Sequence, residues 1–530
     1  MRTADRGELD SLYFEYPHFE APARNAVEPV RPFVIVGAGP VGMVAALTLA
    51  RHGIRSVLLD RKETFNDGSR AICISRSSFH ILDHLGLVAP FLEKSLAWTT
   101  GRSFYRGQQI LEFSMPDHAR EKFRPMYNLQ QQYIEAFLWQ AVERSALIET
   151  RWQSEVTGLT SEPSQVRLTV KDPVGSYELP CEWVIAADGA RSPVRSMCGL
   201  RLRGENYEGR YVIADVQMQH DYPTIRRALF DPASRPGGTV LIHRQPDDIW
   251  RIDYQLRDDE SNEDATREEN VRACVASVLS EIGHSGDWAL EWWSVYSANT
   301  LLLDDYRHGR VFFAGDSAHI VPIFGVRGLN NGIADGHNIG WKLAAVLQNE
   351  AGAALLDSYT PERRGATLDV FENATKSTRF MTPQTHGLRI MRDAALSLAL
   401  TRPHVGGLAN PRQMTPYTYA DSPATAADDP TFKAGPRPGA MFQDVDLEDG
   451  FLSGRLGKWF TLLTFGDMPW RMPGVTVVSV PSDGEVAEIY GAADGSAYLI
   501  RPDLHIAARW RRASPESVEQ CMKKLLWRRD

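Results

Sequence analysis

The sequence predicts an α/β protein in which a Rossmann-like dinucleotide-binding domain is interrupted by an antiparallel-sheet domain and followed by a smaller α/β domain. Three observations carry this. Residues 33–60 read as a buried strand, a glycine-rich turn, a helix and a second strand ending in an acid. Segments 98–126 and 205–300 alternate apolar and polar residues between turn signals. A compact αβ pattern occupies the chain after residue 435. The length of 530 residues leaves room for three or four domains at about 150 residues each.

Phe33-Val34-Ile35-Val36 is a short apolar run of the kind that forms a doubly covered strand. Gly37-Ala38-Gly39-Pro40-Val41-Gly42 follows at once. Met43, Ala46, Leu47 and Ala50 then make one apolar helix face, and Gly53 stops the helix. Ser56–Asp60 is the second strand, and its acid stands 23 residues after Gly37. A dinucleotide site needs these residue types. Gly37 allows the tight turn, Gly39 lets a pyrophosphate approach the backbone, and Gly42 permits close helix packing. The helix that starts at Pro40 and Val41 offers its positive dipole end and the N–H groups that follow Pro40 to phosphate, and Asp60 can accept from ribose hydroxyls. The motif alone does not choose between NAD and FAD.

Gly238–His243 and Trp250–Leu256 alternate as half-buried antiparallel strands do. Residues 131–145 and 333–348 read as helices, and Trp183–Ala187 and Val311–Ala314 as buried strands. Residues 402–440 are rich in Pro, Ala, Asp and Thr and read as a linker or extended loop. Ala497–Arg501 and His505–Arg509 are expected to pair across Pro502-Asp503. Ser514-Pro515 starts a helix with Val518, Met522, Leu525 and Leu526 on one face.

Composition excludes several classes. Lys and Arg number 58 against 67 Asp and Glu, a net charge of −9 that argues against a nucleic-acid binder. Five scattered cysteines, without CxxC or zinc spacing, read as reduced thiols of a cytoplasmic protein and give no metal site. The acidic residues 1–30 lack the apolar core of a signal peptide, and no run of about 18 apolar residues exists to span a membrane. Gly283-His284-Ser285-Gly286-Asp287 misses a hydrolase elbow by one residue.

Two further segments complete a pattern. Cys181–Arg195 is a strand entering Asp188-Gly189-Ala190-Arg191-Ser192-Pro193. Gly315-Asp316-Ser317-Ala318-His319 continues through Pro322 and Gly328-Leu329-Asn330-Asn331-Gly332 into a helix. With the glycine turn and Leu356–Tyr359 … Glu362-Arg363-Arg364, these resemble the single-component FAD-dependent aromatic hydroxylases, the group A flavoprotein monooxygenases with a GR2-type FAD domain. The likeness spans about residues 31–385. The region after 435, with Tyr498–Asp503, resembles the thioredoxin-like appendage of the phenol and 3-(3-hydroxyphenyl)propionate hydroxylase branch.

The resemblance implies an enzyme in which NADH or NADPH reduces FAD and O2 forms a C4a-hydroperoxyflavin that hydroxylates a small phenolic aromatic or aromatic acid. It assigns Asp60 and Arg61 to the FAD ribose end, Arg70 to flavin and pyrophosphate, and Asp316 to the ribityl chain. Gly328, Leu329 and Asn330 would serve the flavin pyrimidine edge with backbone groups. Gln131 resembles the family's FAD-contacting glutamine, with Gln130 as the neighbouring alternative. Asp188 and Arg191 match the motif serving both FAD and NAD(P)H. The branch makes a homodimer an expectation. It also implies a discontinuous FAD domain (31–97, 127–204, 301–400), a substrate sheet (98–126, 205–300), an N-terminal extension (1–30), a linker (401–434) and a thioredoxin-like domain without CxxC (435–530).

The chain departs from the family pattern in three places. Ile323 stands where a second proline is usual, Ile72 where some relatives carry a substrate-deprotonating Asp or His, and Gly336 where Ala is usual. Candidates for work on a phenol are therefore sought in the sheet, at His243, Arg244, Arg251, Asp253 and Tyr254, and at Pro322. The competing reading is an outward solvated face or an interface. Arg226, Arg227 and Arg235 are candidates to draw in NAD(P)H phosphates or a substrate carboxylate, against ordinary surface charge. His319 reads as structural and Cys73 as an inert buried thiol. The same fold could instead serve epoxidation, Baeyer–Villiger-type oxygenation or reduction, or bind flavin without catalysis.

Overall fold

The computed structural model describes residues 11–24, 27–68, 70–118, 120–322, 325–383, 385–409, 415–468 and 470–527. Its first sheet runs in the order Arg307–His308, Val311–Phe313, Gly175–Ala186, Arg31–Val36, Ser56–Leu59, Ile148–Arg151. From Val311–Phe313 onward the neighbours in this order are parallel. Val36 lies beside Leu59 and Ala186, and Ala186 beside Phe313, so four strands end level. That register is what gathers the separate motifs. Gly37, Asp60, Asp188 and Asp316 each follow the carboxyl end of one of these parallel strands, the edge at which such sheets bind ligands.

Segments 98–126 and 205–300 meet in one eight-stranded sheet. Its order is His319–Ile320, Trp288–Leu302, Arg203–Met218, Ile249–Gln255, Thr239–Arg244, Arg226–Phe230, Thr100–Tyr105, Gln108–Ser114. Helix Glu268–Glu281 covers one face with Val271, Val275, Val278 and Leu279, which pack on Val212, Val240, Ile252 and Tyr254. The ends of the first inserted segment belong elsewhere. Met126–Asn128 is the central strand of a small three-stranded sheet, between Cys73–Ser75 and Leu96–Trp98.

Helix Gly328–Leu347 packs on helix Pro40–Arg51 through Gly332, Gly336 and Gly340. A Cβ at Gly336 would stand 2.7 Å from the Val41 carbonyl oxygen. The substitution of Gly for a usual Ala, minor by sequence, therefore sets how closely these two helices approach.

Several segments pack in ways their composition hid. Helix His386–Ala399 lays Leu396 and Ala399 against Tyr105, Tyr211 and Phe230 of the eight-stranded sheet rather than on the dinucleotide domain. The stretch expected to be a linker is pinned along the C-terminal sheet. Tyr419 stacks on His505 at 4.0 Å, Ala426 N–H donates to Ala507 at 2.8 Å, and Arg509 pairs with Asp428 at 2.7 Å. The average composition of that stretch concealed these few anchoring residues. At the other end of the chain, Phe19 stacks on Trp152 at 4.3 Å and Ser11 Oγ donates to Glu291 at 2.6 Å, so residues 11–24 strap both domains.

The last sheet has the order Val475–Val480, Phe460–Phe465, Ala497–Ile500, Ile506–Trp510. The first pair is parallel and the others antiparallel. Helix Pro515–Leu525 carries the expected Ser514 cap and N1 proline. A buried ionic cluster ties this unit to the body. Arg501 pairs with Glu362 at 2.7 Å and with Asp503 at 2.6 Å, and Lys342 with Glu362 at 2.5 Å.

Candidate active site

The glycine turn is built as its three glycines require. Gly37 has φ +108°, and a Cβ there would lie 2.4 Å from the Ala187 carbonyl oxygen. A Cβ on Gly42 would lie 1.9 Å from the Gly37 oxygen. Around Gly39, by contrast, a Cβ meets no atom of the described residues within 4 Å. Gly39 is the N-cap of helix Pro40–Arg51 and has no side-chain cap, so the first-turn N–H groups face open space, as an anion site requires. Asp60 accepts from the N–H of Ala38 at 2.8 Å and of Lys62 at 2.9 Å. It thus fixes the turn, and each oxygen retains a second lone pair for a ribose hydroxyl. Arg61 follows it, exposed.

Asp316 sits on the turn Gly315–Ser317. Its surface is open, yet protein surrounds it so closely that burial pushes its carboxyl above the ordinary value, against the pull of His319, Arg70 and Arg195. A side chain both open and enclosed lines an internal space. Tyr296 borders the same space, since the charges of Asp316 and Arg70 both act on its phenol, and its hydroxyl donates to the Val321 oxygen at 3.0 Å.

The supports of this space are specific. Asp335 accepts from Gly315 N–H at 2.9 Å, bonds His319 Nε2 at 2.7 Å and pairs with Arg363 at 2.6 Å, which makes His319 a buried scaffold residue. Asp188 accepts from Val194 N–H at 3.0 Å, and burial raises its pKa. Arg191 is exposed on the same turn. Arg195 donates to the Ser317 oxygen at 3.0 Å and the Ala190 oxygen at 2.7 Å, so it joins the Asp188 and Asp316 motifs. That role was not read from the sequence, although Arg195 closes the basic stretch after Asp188.

Gln131 and Gln130 separate cleanly. Gln131 Oε1 accepts from Ala71 N–H at 3.2 Å, beside Arg70, while Gln130 donates to the Pro246 oxygen at 2.9 Å. Asn330 is a clamp at the start of helix Gly328–Leu347. Its Oδ1 accepts from Ser75 N–H at 2.8 Å and Ser78 Oγ at 2.7 Å, and its Nδ2 donates to the Val326 oxygen at 2.7 Å. The backbone N–H groups of Gly328, Leu329 and Asn330 lie in the first turn and have no acceptor within the helix. Val326, a β-branched residue held at φ +63°, turns the chain into this helix start. Pro322 is buried, and the residue after it, Ile323, lies outside the described residues.

The uncovered face of the eight-stranded sheet carries a polar row. Register places His243 opposite Arg251 and Arg251 opposite Asp215. Arg226 precedes Arg227, the partner of Ile242, and so stands level with His243. The next row holds Ala228, Leu241, Asp253 and Ile213. Every polar member is buried, which removes the solvated-face reading for His243. Arg251 donates twice to Asp215, both at 2.8 Å, and once to the Arg70 oxygen at 3.1 Å, which ties the row to the Asp316 space. Burial pushes His243 down to about 3, so its ring is neutral. Burial pushes Asp253 up to about 7 despite Arg251, with Asp215 adding to the rise. Cys73, pushed up to about 12 by burial, donates to Asn128 at 3.0 Å and is inert.

Tyr254 is corrected. Alternation along Ile249–Gln255 sends it to the opposite face, beneath helix Glu268–Glu281, so it takes no part in this site. Arg235 and Arg227 are also elsewhere, against Glu260 and Tyr222 respectively. Ile72, Trp98, Phe113, Met115 and Met126 form an apolar wall. A cavity of about 1680 Å³ reaches from Phe113, Met115 and Met126 to Met441 and Phe442 beside the C-terminal unit.

Residues 31–374 match the family model described as an FAD binding domain. The 3-(3-hydroxy-phenyl)propionate/3-hydroxycinnamic acid hydroxylase of Mycolicibacterium smegmatis is 27% identical over 513 residues, 89% of each chain. Its counterpart from Klebsiella pneumoniae subsp. pneumoniae is 25% identical over 89% of this chain and 86% of that one. Among solved structures, the flavin-dependent monooxygenase PieE in complex with FAD and substrate has a TM-score of 0.80 at 23% identity, over 95% of this chain and all (100%) of that one. Aklavinone-11 hydroxylase with FAD and aklavinone has a TM-score of 0.73 at 21% identity, with the same coverage. These two share the fold.

Proposed function

Because the chain belongs to the FAD binding domain family, we propose that it is an FAD-dependent aromatic monooxygenase that spends NAD(P)H and O2 to hydroxylate a phenolic ring. The observation that carries this is the bond from Arg251 to the Arg70 oxygen, which ties a buried polar face of the substrate sheet to the arginine that acts on Asp316.

The residues present fit FAD. The open turn at Gly39 accommodates pyrophosphate, Asp60 the ribose, Asp316 a polyol chain, and the free N–H groups of residues 328–330 an electron-rich ring edge. When bound, FAD supplies the passage of electrons from NAD(P)H and the activation of O2. The chain's own residues do the rest. On the uncovered face of the sheet, Asp253 takes the phenolic proton, the role Ile72 cannot fill, and neutral His243 is a hydrogen-bond partner for the same hydroxyl. The wall from Ile72 to Met126 excludes water and holds the ring flat against its neighbours.

The C-terminal sheet, with its first two strands parallel and the last two antiparallel, supports reading that unit as a thioredoxin-like domain kept for structure. Cys521, near its end, is held well protonated by burial, which does not suit redox work. Five unpaired cysteines support a reducing compartment, the cytoplasm.

The test is a panel of phenols with purified, FAD-loaded protein, led by 3-(3-hydroxyphenyl)propionate. NAD(P)H oxidation should rise with one or more of them, with a hydroxylated product recovered. Flavin reduction that no aromatic accelerates would favour a reductase, and flavin that NAD(P)H never reduces would favour a binding protein.

A further inference from the structure

Residues 60–72 run between strands Ser56–Leu59 and Cys73–Ser75 without helix or strand of their own. This loop carries Arg70, whose charge acts on both Asp316 and Tyr296. Ordering a loop costs conformational entropy at every residue, so a loop of this length holds one side chain in place only when its backbone is tied from outside. Three elements supply the ties. Helix Gln131–Glu143 gives Glu135, which accepts from Asn66 N–H at 2.8 Å, and Gln131, which accepts from Ala71 N–H at 3.2 Å. The eight-stranded sheet gives Arg251, which donates to the Arg70 oxygen at 3.1 Å. The strap 11–24 gives Phe19, whose N–H donates to the Glu63 oxygen at 2.7 Å, and Tyr16, whose hydroxyl oxygen accepts from Gly68 N–H at 3.3 Å.

Tyr16 differs in origin from Arg251 and Gln131, the other ties beside Arg70. The strap precedes residues 31–374, the part of the chain that matches the family model. Gly68 lies two residues before Arg70 with φ +68°, and a Cβ there would stand 2.0 Å from Trp292 Cε2. The loop therefore passes directly over that indole, which register places opposite Asp215, the partner of Arg251. Tyr16 is itself held. Its oxygen also accepts from Gln132 Nε2 at 2.9 Å, and its ring meets Phe14 edge-on at 5.0 Å. Upstream, buried Glu291 accepts from Ser11 Oγ at 2.6 Å and from Leu12 N–H at 2.7 Å, which anchors the strap at the residue before Trp292.

Resting on the reading of this space as an FAD site, we infer that Tyr16 is a positioning residue for the cofactor: its hydroxyl fixes the 66–71 backbone at Gly68, and so fixes Arg70 toward bound FAD. Tyr16 touches no cofactor atom in this arrangement and acts through Arg70. The N-terminal strap is then a working part of the cofactor site, supplied by chain that lies outside the matched domain.

The experiment is a double-mutant cycle on FAD affinity, measured by titrating full-length apoprotein with FAD and following fluorescence quenching. The variants are Tyr16→Phe, Arg70→Met and the two together. Tyr16→Phe keeps the ring and its contact with Phe14 and removes only the accepting oxygen, so the apoprotein should melt as wild type does. Its FAD affinity should fall about three- to ten-fold, the worth of one hydrogen bond. Arg70→Met should lose about ten- to a hundred-fold, as expected for a charge-assisted contact. In the Arg70→Met background, Tyr16→Phe should cost less than about two-fold, because the group it positions is gone. A residue that only stabilises the fold would show the same loss in both backgrounds. Wild-type affinity in Tyr16→Phe, or a full second loss on top of Arg70→Met, overturns the inference while the FAD site stands. Wild-type affinity in Arg70→Met overturns it too, since Arg70 then does not meet the cofactor. Wild-type apoprotein that takes up no FAD removes the reading of the site itself.

Discussion

Gly39→Ala separates cofactor binding from folding. A Cβ at Gly39 meets no described atom within 4 Å, and the residue already has φ −74° and ψ 178°, which alanine adopts freely. Replacing glycine stiffens the unfolded chain, a gain of about 0.4–1 kcal/mol, and the loss at an N-cap is of similar size. The apoprotein should therefore melt within about 1 kcal/mol of wild type. FAD should not tolerate the change. The methyl fills the space in which a pyrophosphate oxygen meets the helix N–H groups, and one lost charge-assisted bond is worth about 1.5–3 kcal/mol, or roughly 10- to 150-fold in affinity. Gly42→Ala is the contrasting variant. Its Cβ would stand 1.9 Å from the Gly37 oxygen, so the turn must move, and stability should fall by about 1–3 kcal/mol even without cofactor. Thermal melting of both apoproteins and titration with FAD by fluorescence quenching read the two effects separately. Wild-type FAD affinity in Gly39→Ala would show that no phosphate lies at this turn.

Three more expectations follow from the same geometry. Asp316→Ala should lower FAD retention through purification while leaving the apoprotein fold intact; unchanged flavin content would remove its role toward the ribityl chain. Arg501→Met strips Glu362 and Asp503 of their shared cation in the buried cluster and should cost about 3–5 kcal/mol in chemical denaturation; a cost below about 1 kcal/mol would mean the cluster does not hold the C-terminal unit to the body. Asp253, faced by Arg251, Asp215 and Arg226, has its folded pKa raised to about 7. Its contribution to apoprotein stability is therefore full below the ordinary carboxyl value and lost as pH rises to about 7, with a slope of at most about 1.4 kcal/mol per pH unit. Asp253→Asn should remove that slope, and an unaltered pH profile would place Asp253 in an ordinary ionised state.

Local features of the sequence led correctly to the dinucleotide turn, because a glycine that needs φ +108° and an acid after the second strand are fixed by adjacent backbone. They led equally well to the parallel strands, whose apolar runs are self-contained. The polar row was only half legible. Alternation put His243 on one face of its strand, but which face meets the ring space depends on helix Glu268–Glu281 covering the other, and that also misplaced Tyr254. Register across four strands, which no single segment encodes, brings Arg226 level with His243 and Arg251 level with Asp215. The composition of residues 402–440 points to a linker or extended loop but does not disclose its anchors, because Tyr419 and Asp428 act through His505 and Arg509, about 80 residues on.

The central claim is that this fold places an oxygen atom from O2 on a phenolic ring. It is tested most directly by turnover under ¹⁸O2 with FAD-loaded protein, NAD(P)H and 3-(3-hydroxyphenyl)propionate, with mass analysis of the product. One ¹⁸O per product molecule, matched by one NAD(P)H consumed, is the expected result. A product without ¹⁸O, or NAD(P)H consumed with peroxide as the only product across the phenol panel, would contradict it.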